Sequence, residues 1–367
     1  MTERTYAPGT HPDLPPPSDT IGLIHWLKAN LFSSPVNSVV TLVAIYLLYL
    51  ALPSAFNWLF IDATYVGETR KDCAQEGACM AFIGERFNLF VYGFYPAELR
   101  WRVNLAAILL AVAGAAVLWD KIPARKHMLK FALAYPFIGA WLLSGGFGLE
   151  SVGTHLFGGL MLTLTIGVTG IAFSLPLGIL LALGRQSQLP IIKYFCIAFI
   201  EFIRGVPLIT LLFVASTMLS YFLPPGTTFD LLLRVLIMVT LFASAYMAEV
   251  VRGGLQALPK GQLEAADSLG LNYSQAMRLI ILPQALKISI PGIVNTFIGL
   301  YKDSTLVIVI GLLDPLGIGR ASVADSAWLG LSTEVYLFVA VFFFISCFGM
   351  ARYSLYLENK LNTGHKR

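Results

Sequence analysis

Charged residues are scarce in this chain. Asp, Glu, Lys and Arg make up 13% of 367 residues and hydrophobic types 57%, with a mean hydropathy of +0.73; a soluble domain of this size is excluded. Residue-by-residue alternation is missing too, so the long apolar runs read as helices of an inner-membrane bundle rather than outer-membrane strands. There is no G-x-x-x-x-G-K-S/T phosphate loop, so the chain does not hydrolyse ATP by itself. His11, His25, His127, His155 and His365 are scattered without metal spacing, and no metal site or cofactor is expected in this chain. Neither a nucleophile motif nor a Gly-rich dinucleotide turn stands out, so no enzyme is expected. The net charge of +4 is small, and without a basic cluster nucleic acid is not a partner. No internal repeat is evident, so a pseudo-two-fold pore requires a second subunit.

Cysteine is equally sparse. Cys73 and Cys79 form the one close pair, in CAQEGAC, six residues apart in a polar loop. Two readings stand for it: a small disulfide if the loop faces an oxidising compartment, or two free thiols.

What is present is a series of apolar runs. Residues 1–35 carry the run Leu14-Pro15-Pro16-Pro17 and no apolar core able to serve as a cleaved signal, which predicts a cytoplasmic N-terminal tail. Residues 36–154 hold three spans, Val36–Phe60, Val103–Leu118 and Met128–Phe147, with a large periplasmic loop over 61–102. Lys121, Arg125, Lys126 and Lys130 in the second connector mark it as cytoplasmic. From His155 the texture changes, because Gly158, Gly159, Gly167, Gly170, Ser174 and Gly178 crowd one span and permit close helix approach. Five spans follow over 155–357, and residues 358–367 form a cytoplasmic tail. The expectation is an all-α membrane protein of about eight helices with both termini cytoplasmic.

Between the spans at 231–251 and 287–313 lies the stretch everything else is arranged around, with its loop over 252–286. Leu263, Ala266 and Leu269 recur at helical spacing, Gly270 can supply a left-handed cap, and Asn272 or Ser274 can start a second short helix that Pro283 stops. Two amphipathic helices joined at a glycine make a knob for another protein to grip.

The spacing Glu264-Ala265-Ala266, then Gly270, Ile280 and Leu282-Pro283, resembles the cytoplasmic coupling loop of permease subunits in binding-protein-dependent ABC importers. The runs FGGLMLTLTIGVTGIAFSLPLGILLALGRQS, EFIRGVPL, AYMAEVVRGGLQALP and NTFIGLYKDSTLV resemble the polar amino-acid branch, and the three extra spans resemble its larger L-amino-acid permeases. That resemblance implies a type I permease core in the C-terminal five helices. It also implies an ATPase dimer, which binds ATP and Mg, gripping the loop, a second homologous permease, and a periplasmic amino-acid-binding protein that delivers substrate. The rival class is an ion-coupled secondary amino-acid symporter, which calls for an internal repeat and broken helices in both halves.

Three polar clusters stand near the proposed path. Glu201 and Arg204, one turn apart, are either an interfacial elbow or substrate contacts. Glu249 and Arg252 are either part of an inner gate or a local ion pair. Asn295, Lys302, Asp303 and Ser304 lie deep in an apolar run, where Asp303 or Ser304 can cap a second half-helix; they are either gate or substrate contacts, or a paired charge at the outer mouth.

Overall fold

The computed structural model describes residues 22–119, 121–122, 124–218, 221, 224, 229–259 and 261–361. Most of the expected N-terminal tail, and residues 362–367 of the C-terminal one, lie outside the described residues. The chain divides into two compact units, Met1–Tyr65 with Lys71–Cys79, and Val66–Arg70 with Met80–Arg367.

In the first unit, α1 (Leu23–Asn30) precedes α2 (Pro35–Phe56), which runs on through a π turn, Asn57–Ile61. The Ser34 hydroxyl caps α2 by accepting from the Asn37 amide at 3.2 Å. Pro35 occupies the first turn, where its missing N–H costs nothing. The resulting 27-residue apolar rod is about 40 Å long at helical rise, enough to cross a bilayer. A disulfide joins Cys73 and Cys79 with their Cα atoms 5.5 Å apart. The Ala78 amide donates to the Trp58 carbonyl at 2.8 Å and the Thr64 amide to the Ala78 carbonyl at 2.9 Å, tying the closed loop to the end of the rod.

The second unit begins with α3 (Met80–Glu85) and α4 (Phe87–Tyr92). Then come α5 (Arg100–Leu118), α6 (Arg125–Ser144), α7 (Gly159–Arg185), α8 (Pro190–Gly205) and α9 (Leu208–Phe213). After them follow α10 (Leu231–Gln256), α11 (Gly261–Ser268), α12 (Tyr273–Ala276), α13 (Leu282–Asp303), α14 (Pro315–Ser322) and α15 (Ser332–Leu361). Among the described residues six helical segments are long and apolar enough to span, and α8 with Leu208–Met218 adds a seventh as a pair bent by 102°. The expected span at 128–147 is α6, whose first turns carry Arg125, Lys126, His127 and Lys130 and whose apolar part starts at Phe131. It pairs with α5, where the Tyr135 hydroxyl donates to the Ala106 carbonyl at 2.9 Å.

The core lies along α7, α10 and α13. The Ser289 hydroxyl on α13 donates to the Val250 carbonyl on α10 at 3.2 Å, and a Cβ on Gly254 would overlap that same hydroxyl and the Ala285 carbonyl. Gly254 thus sets how closely α10 and α13 approach, as small residues do in membrane bundles.

Three local expectations are corrected. Pro283 does not stop a helix: Tyr273–Ile310 is one continuous 38-residue segment, with Pro283 in the first turn of α13 just after a π turn over Met277–Ile281. A proline removes one donor from the helical ladder, and a first turn after a slipped turn tolerates that. Nor does the chain unwind at Lys302–Ser304. The helix tightens into a 3-10 turn over Ser304–Ile310, neither Asp303 nor Ser304 caps it through its side chain, and the Ser304 hydroxyl donates back to the Tyr301 carbonyl at 2.7 Å. Finally, the loop expected over 61–102 contains α3 and α4. Phe82 packs on Trp328 with ring centroids 5.5 Å apart and Phe90 on Phe338 at 4.9 Å, while Arg86 pairs with Asp325 at 2.6 Å.

Candidate functional site: a coupling hairpin, a charged hub and a cavity

The hairpin is built by two caps placed back to back. Gly270 has φ +75°; its amide donates to the Asp267 carbonyl at 2.9 Å and the Leu271 amide to the Ala266 carbonyl at 3.2 Å. Those two bonds are the Schellman closure that a left-handed residue allows. One residue later, Asn272 accepts from the Gln275 amide at 2.9 Å, and the Gln275 side chain accepts from the Asn272 amide at 3.0 Å. Such a capping box starts α12 at a fixed angle to α11. Ala266 is buried, whereas Glu264, Ala265, Leu269 (76% exposed), Tyr273 and Leu279 face outward. Leu263 and Leu269, read from periodicity as one apolar face with Ala266, therefore remain uncovered. Gln284 reaches back to Gln262 at 3.4 Å, Leu282 is half-buried and Pro283 exposed. A rigid projection with an apolar surface and two exposed carboxylates, Glu264 and Asp267, is suited to insertion into a partner's groove.

Above the hairpin sits a charged hub. Glu249 is 15% exposed and faces three arginines: it accepts hydrogen bonds from Arg252 at 2.6 Å and Arg185 at 2.8 Å and forms a looser ion pair with Arg204 at 3.7 Å. Arg185 also holds Glu201 at 2.8 Å, and Arg252 donates to Gln256 at 2.8 Å. These residues come from the C-terminal ends of α7, α8 and α10, so a single carboxylate ties three helices together. The local Glu201–Arg204 pairing expected at i, i+3 is the weakest link, at 4.0 Å. Sequence spacing finds only neighbours on one helix; Arg185, a span away, is the partner it missed. Its place at the last residue of a glycine-rich span was the available signal.

Between α10 and α13 lies a cavity of about 300 Å³ lined by Phe242, Tyr246, Asn295, Thr296, Gly299 and Asp303 among others. The Arg204 guanidinium stands 5.7 Å from the centroid of the Tyr246 ring, so hub and cavity share one side chain as a wall. Of the deep cluster predicted on α13, Asn295 and Asp303 reach this cavity. Lys302 is exposed on another side of the helix, and Ser304 is buried.

One carboxyl outside the spans was overlooked. Asp314 is fully buried; one oxygen caps α14 by accepting from the Gly317 amide at 2.8 Å, and the other has no hydrogen-bond partner among the described residues. Burial pushes its pKa from 3.8 up to about 6, against the lowering effect of the backbone amides. Because the folded state holds the proton more tightly, stability is fully present below about pH 4, declines as pH rises through about 6, and stays low above, by up to roughly 3 kcal/mol. Asp314→Asn keeps the cap and removes the buried charge. It is expected to raise the apparent melting temperature of the detergent-solubilised protein at pH 8 and flatten its dependence between pH 4 and 6; an unchanged profile would mean that the carboxylate is hydrated.

Residues 174–362 match the family of binding-protein-dependent transport system inner membrane components. The inner membrane amino-acid ABC transporter permease protein YhdY of Escherichia coli (strain K12) is 52% identical over 97% of each chain. The chain belongs to this family, among its amino-acid permeases. The glutamate/glutamine/aspartate/asparagine transport system permease protein BztC of Rhodobacter capsulatus is 45% identical to the permease over 96% of each chain. Among solved structures, an amino acid ABC transporter crystallised with histidines is 31% identical, with a TM-score of 0.49, over 55% of the permease and 91% of that chain. The permease is thus a multi-pass inner-membrane component of an ABC importer, a transport subunit that performs no catalysis.

Proposed function

We propose that this permease carries acidic amino acids and their amides inward, in a complex with a homologous second permease, an ATPase dimer and a periplasmic receptor. In this reading both termini are cytoplasmic, the three extra spans precede a transport core over 155–357, and the loop closed by Cys73 and Cys79 faces the periplasm. The observation that carries it is the double-capped hairpin, Gly261–Ile281, with its exposed apolar surface at the inner end of α10. ATP-driven closure of the ATPase pulls Glu264 to Gly270; the rigid hairpin passes the motion to α10 and α13, and the hub moves α7 and α8 with them. Two packings of the bundle then alternate, and nucleotide selects between them. Substrate specificity of the BztC relative supports the choice of amino acids. In the cavity, Asp303 receives the substrate ammonium and Asn295 a neutral polar group, which turns an acidic side chain away from Asp303.

The test is uptake by proteoliposomes holding the full complex, the receptor and enclosed ATP. Glutamate or glutamine accumulates in wild type, and Asp303→Asn lowers uptake at least about ten-fold, the value of one charge-assisted hydrogen bond. Uptake that persists without ATP and collapses with an uncoupler would replace this reading by a symporter. Equal uptake by Asp303→Asn would move the substrate path away from this cavity.

A further inference from the structure

We propose that the permease holds one acyl chain of an outer-leaflet phospholipid, with an amine-bearing headgroup, in a cleft between α5, α6, α7 and α10. The cleft measures about 230 Å³ and its walls are overwhelmingly apolar, including Ala106, Leu110, Gly139, Met161, Val168 and Leu236. Small residues on α5 and α6 create it by leaving space that larger side chains would fill.

Its position specifies the leaflet. The lining stops at Leu110 on α5 and at Thr169 on α7, starts at Tyr135 on α6, and stops at Leu236 on α10. Each stretch therefore belongs to the part of its helix nearer the same membrane face, and none reaches further than about 15 Å along α5 or α7, half of a hydrocarbon core. Ala107, Ala140 and Leu233 at the rim are exposed, so the cleft opens sideways to the surface that a bilayer covers.

Charge specifies the headgroup. Asp230 lies at the end of the cleft, exposed, one oxygen capping α10 through the Leu233 amide at 3.0 Å and the other accepting from the Thr154 hydroxyl. Among the described residues no basic side chain lines the cleft. Arg234, one turn along, is spent on the carbonyls of Phe229, Ala215 and Ser216. Among the described residues Asp230 forms no ion pair, so an ammonium headgroup complements it and an anionic one is repelled.

The assignment to the outer leaflet rests on the orientation proposed above; binding itself does not, and the assay separates the two. The purified, delipidated complex is incubated with vesicles of phosphatidylethanolamine or phosphatidylglycerol, and retained lipid is counted by native mass spectrometry. One retained phosphatidylethanolamine per permease is expected, preferred about five-fold, the factor for one charge near a headgroup. Asp230→Asn, which preserves the helix cap, should erase that preference, and Ala140→Trp should abolish retention while Val341→Trp, on exposed surface of α15, does not. Unchanged retention and preference in both cleft variants would overturn the proposal, as would a photo-crosslinker at Ala140 that captures the second permease instead of lipid. A reversed orientation would show separately, as ready thiol labelling of the reduced Cys73 and Cys79 loop from the cytoplasmic side.

Discussion

Glu249→Gln is expected to reduce ATP-driven uptake about 30- to 150-fold while leaving membrane insertion intact. The substitution keeps size and shape but leaves three guanidiniums, from Arg185, Arg204 and Arg252, facing one another with only Glu201, at the rim of the hub, to offset them. Breaking a fully buried pair costs about 3 to 5 kcal/mol. Here the arginines are 23% to 35% exposed, and screening brings the figure nearer 2 to 3 kcal/mol. Between two bundle packings that differ by a few kcal/mol, such a bias moves the equilibrium by that same range of fold-changes. ATP hydrolysis by the complex should continue, since the nucleotide sites are in another subunit. Glu249→Asp should recover part of the uptake. Uptake within two-fold of wild type in Glu249→Gln would reduce the hub to an ordinary interfacial ion cluster.

Gly270→Val should uncouple the transporter by a different route. At φ +75° a left-handed backbone costs an ordinary residue about 1 to 2 kcal/mol, and a β-branched one more. The Schellman closure and the capping box abut at Gly270 to Asn272, so relief of that strain changes the angle between α11 and α12. Receptor-stimulated hydrolysis and uptake should both fall at least ten-fold, with basal hydrolysis retained. Gly270→Asn, which tolerates the left-handed region, should keep most of the activity. Equal loss in both variants would point to a contact with the missing hydrogen atom's space rather than to backbone geometry.

Much of this organisation was legible in the sequence wherever the physics is local. The apolar runs gave the long helices, Gly270 and Asn272 gave the turn of the hairpin, and the EAA-to-LP spacing gave the family. What escaped depends on residues far apart in the chain. Arg185 meets Glu249 across 64 positions, and no periodicity reports that. Arg86 and Asp325, Phe82 and Trp328 likewise meet only once the bundle has formed, which is why α3 and α4 looked like loop. Pro283 misled because a proline ends a helix only when no slipped turn precedes it to absorb the lost donor. Asp303 and Lys302 looked equivalent in a deep polar cluster; a rotation of about 100° per residue sends one into the cavity and the other out of it.

The most direct test of the account is cross-linking from the hairpin. With Cys196 and Cys347 replaced by Ser, an Ala265→Cys chain is assembled into the full complex and treated with a short bifunctional maleimide. The account predicts an adduct with the ATPase subunit whose yield changes between nucleotide-free and ATP-bound states. An introduced thiol that reacts only with reagent supplied from the periplasmic side, or that forms no adduct with the ATPase in either state, would contradict it.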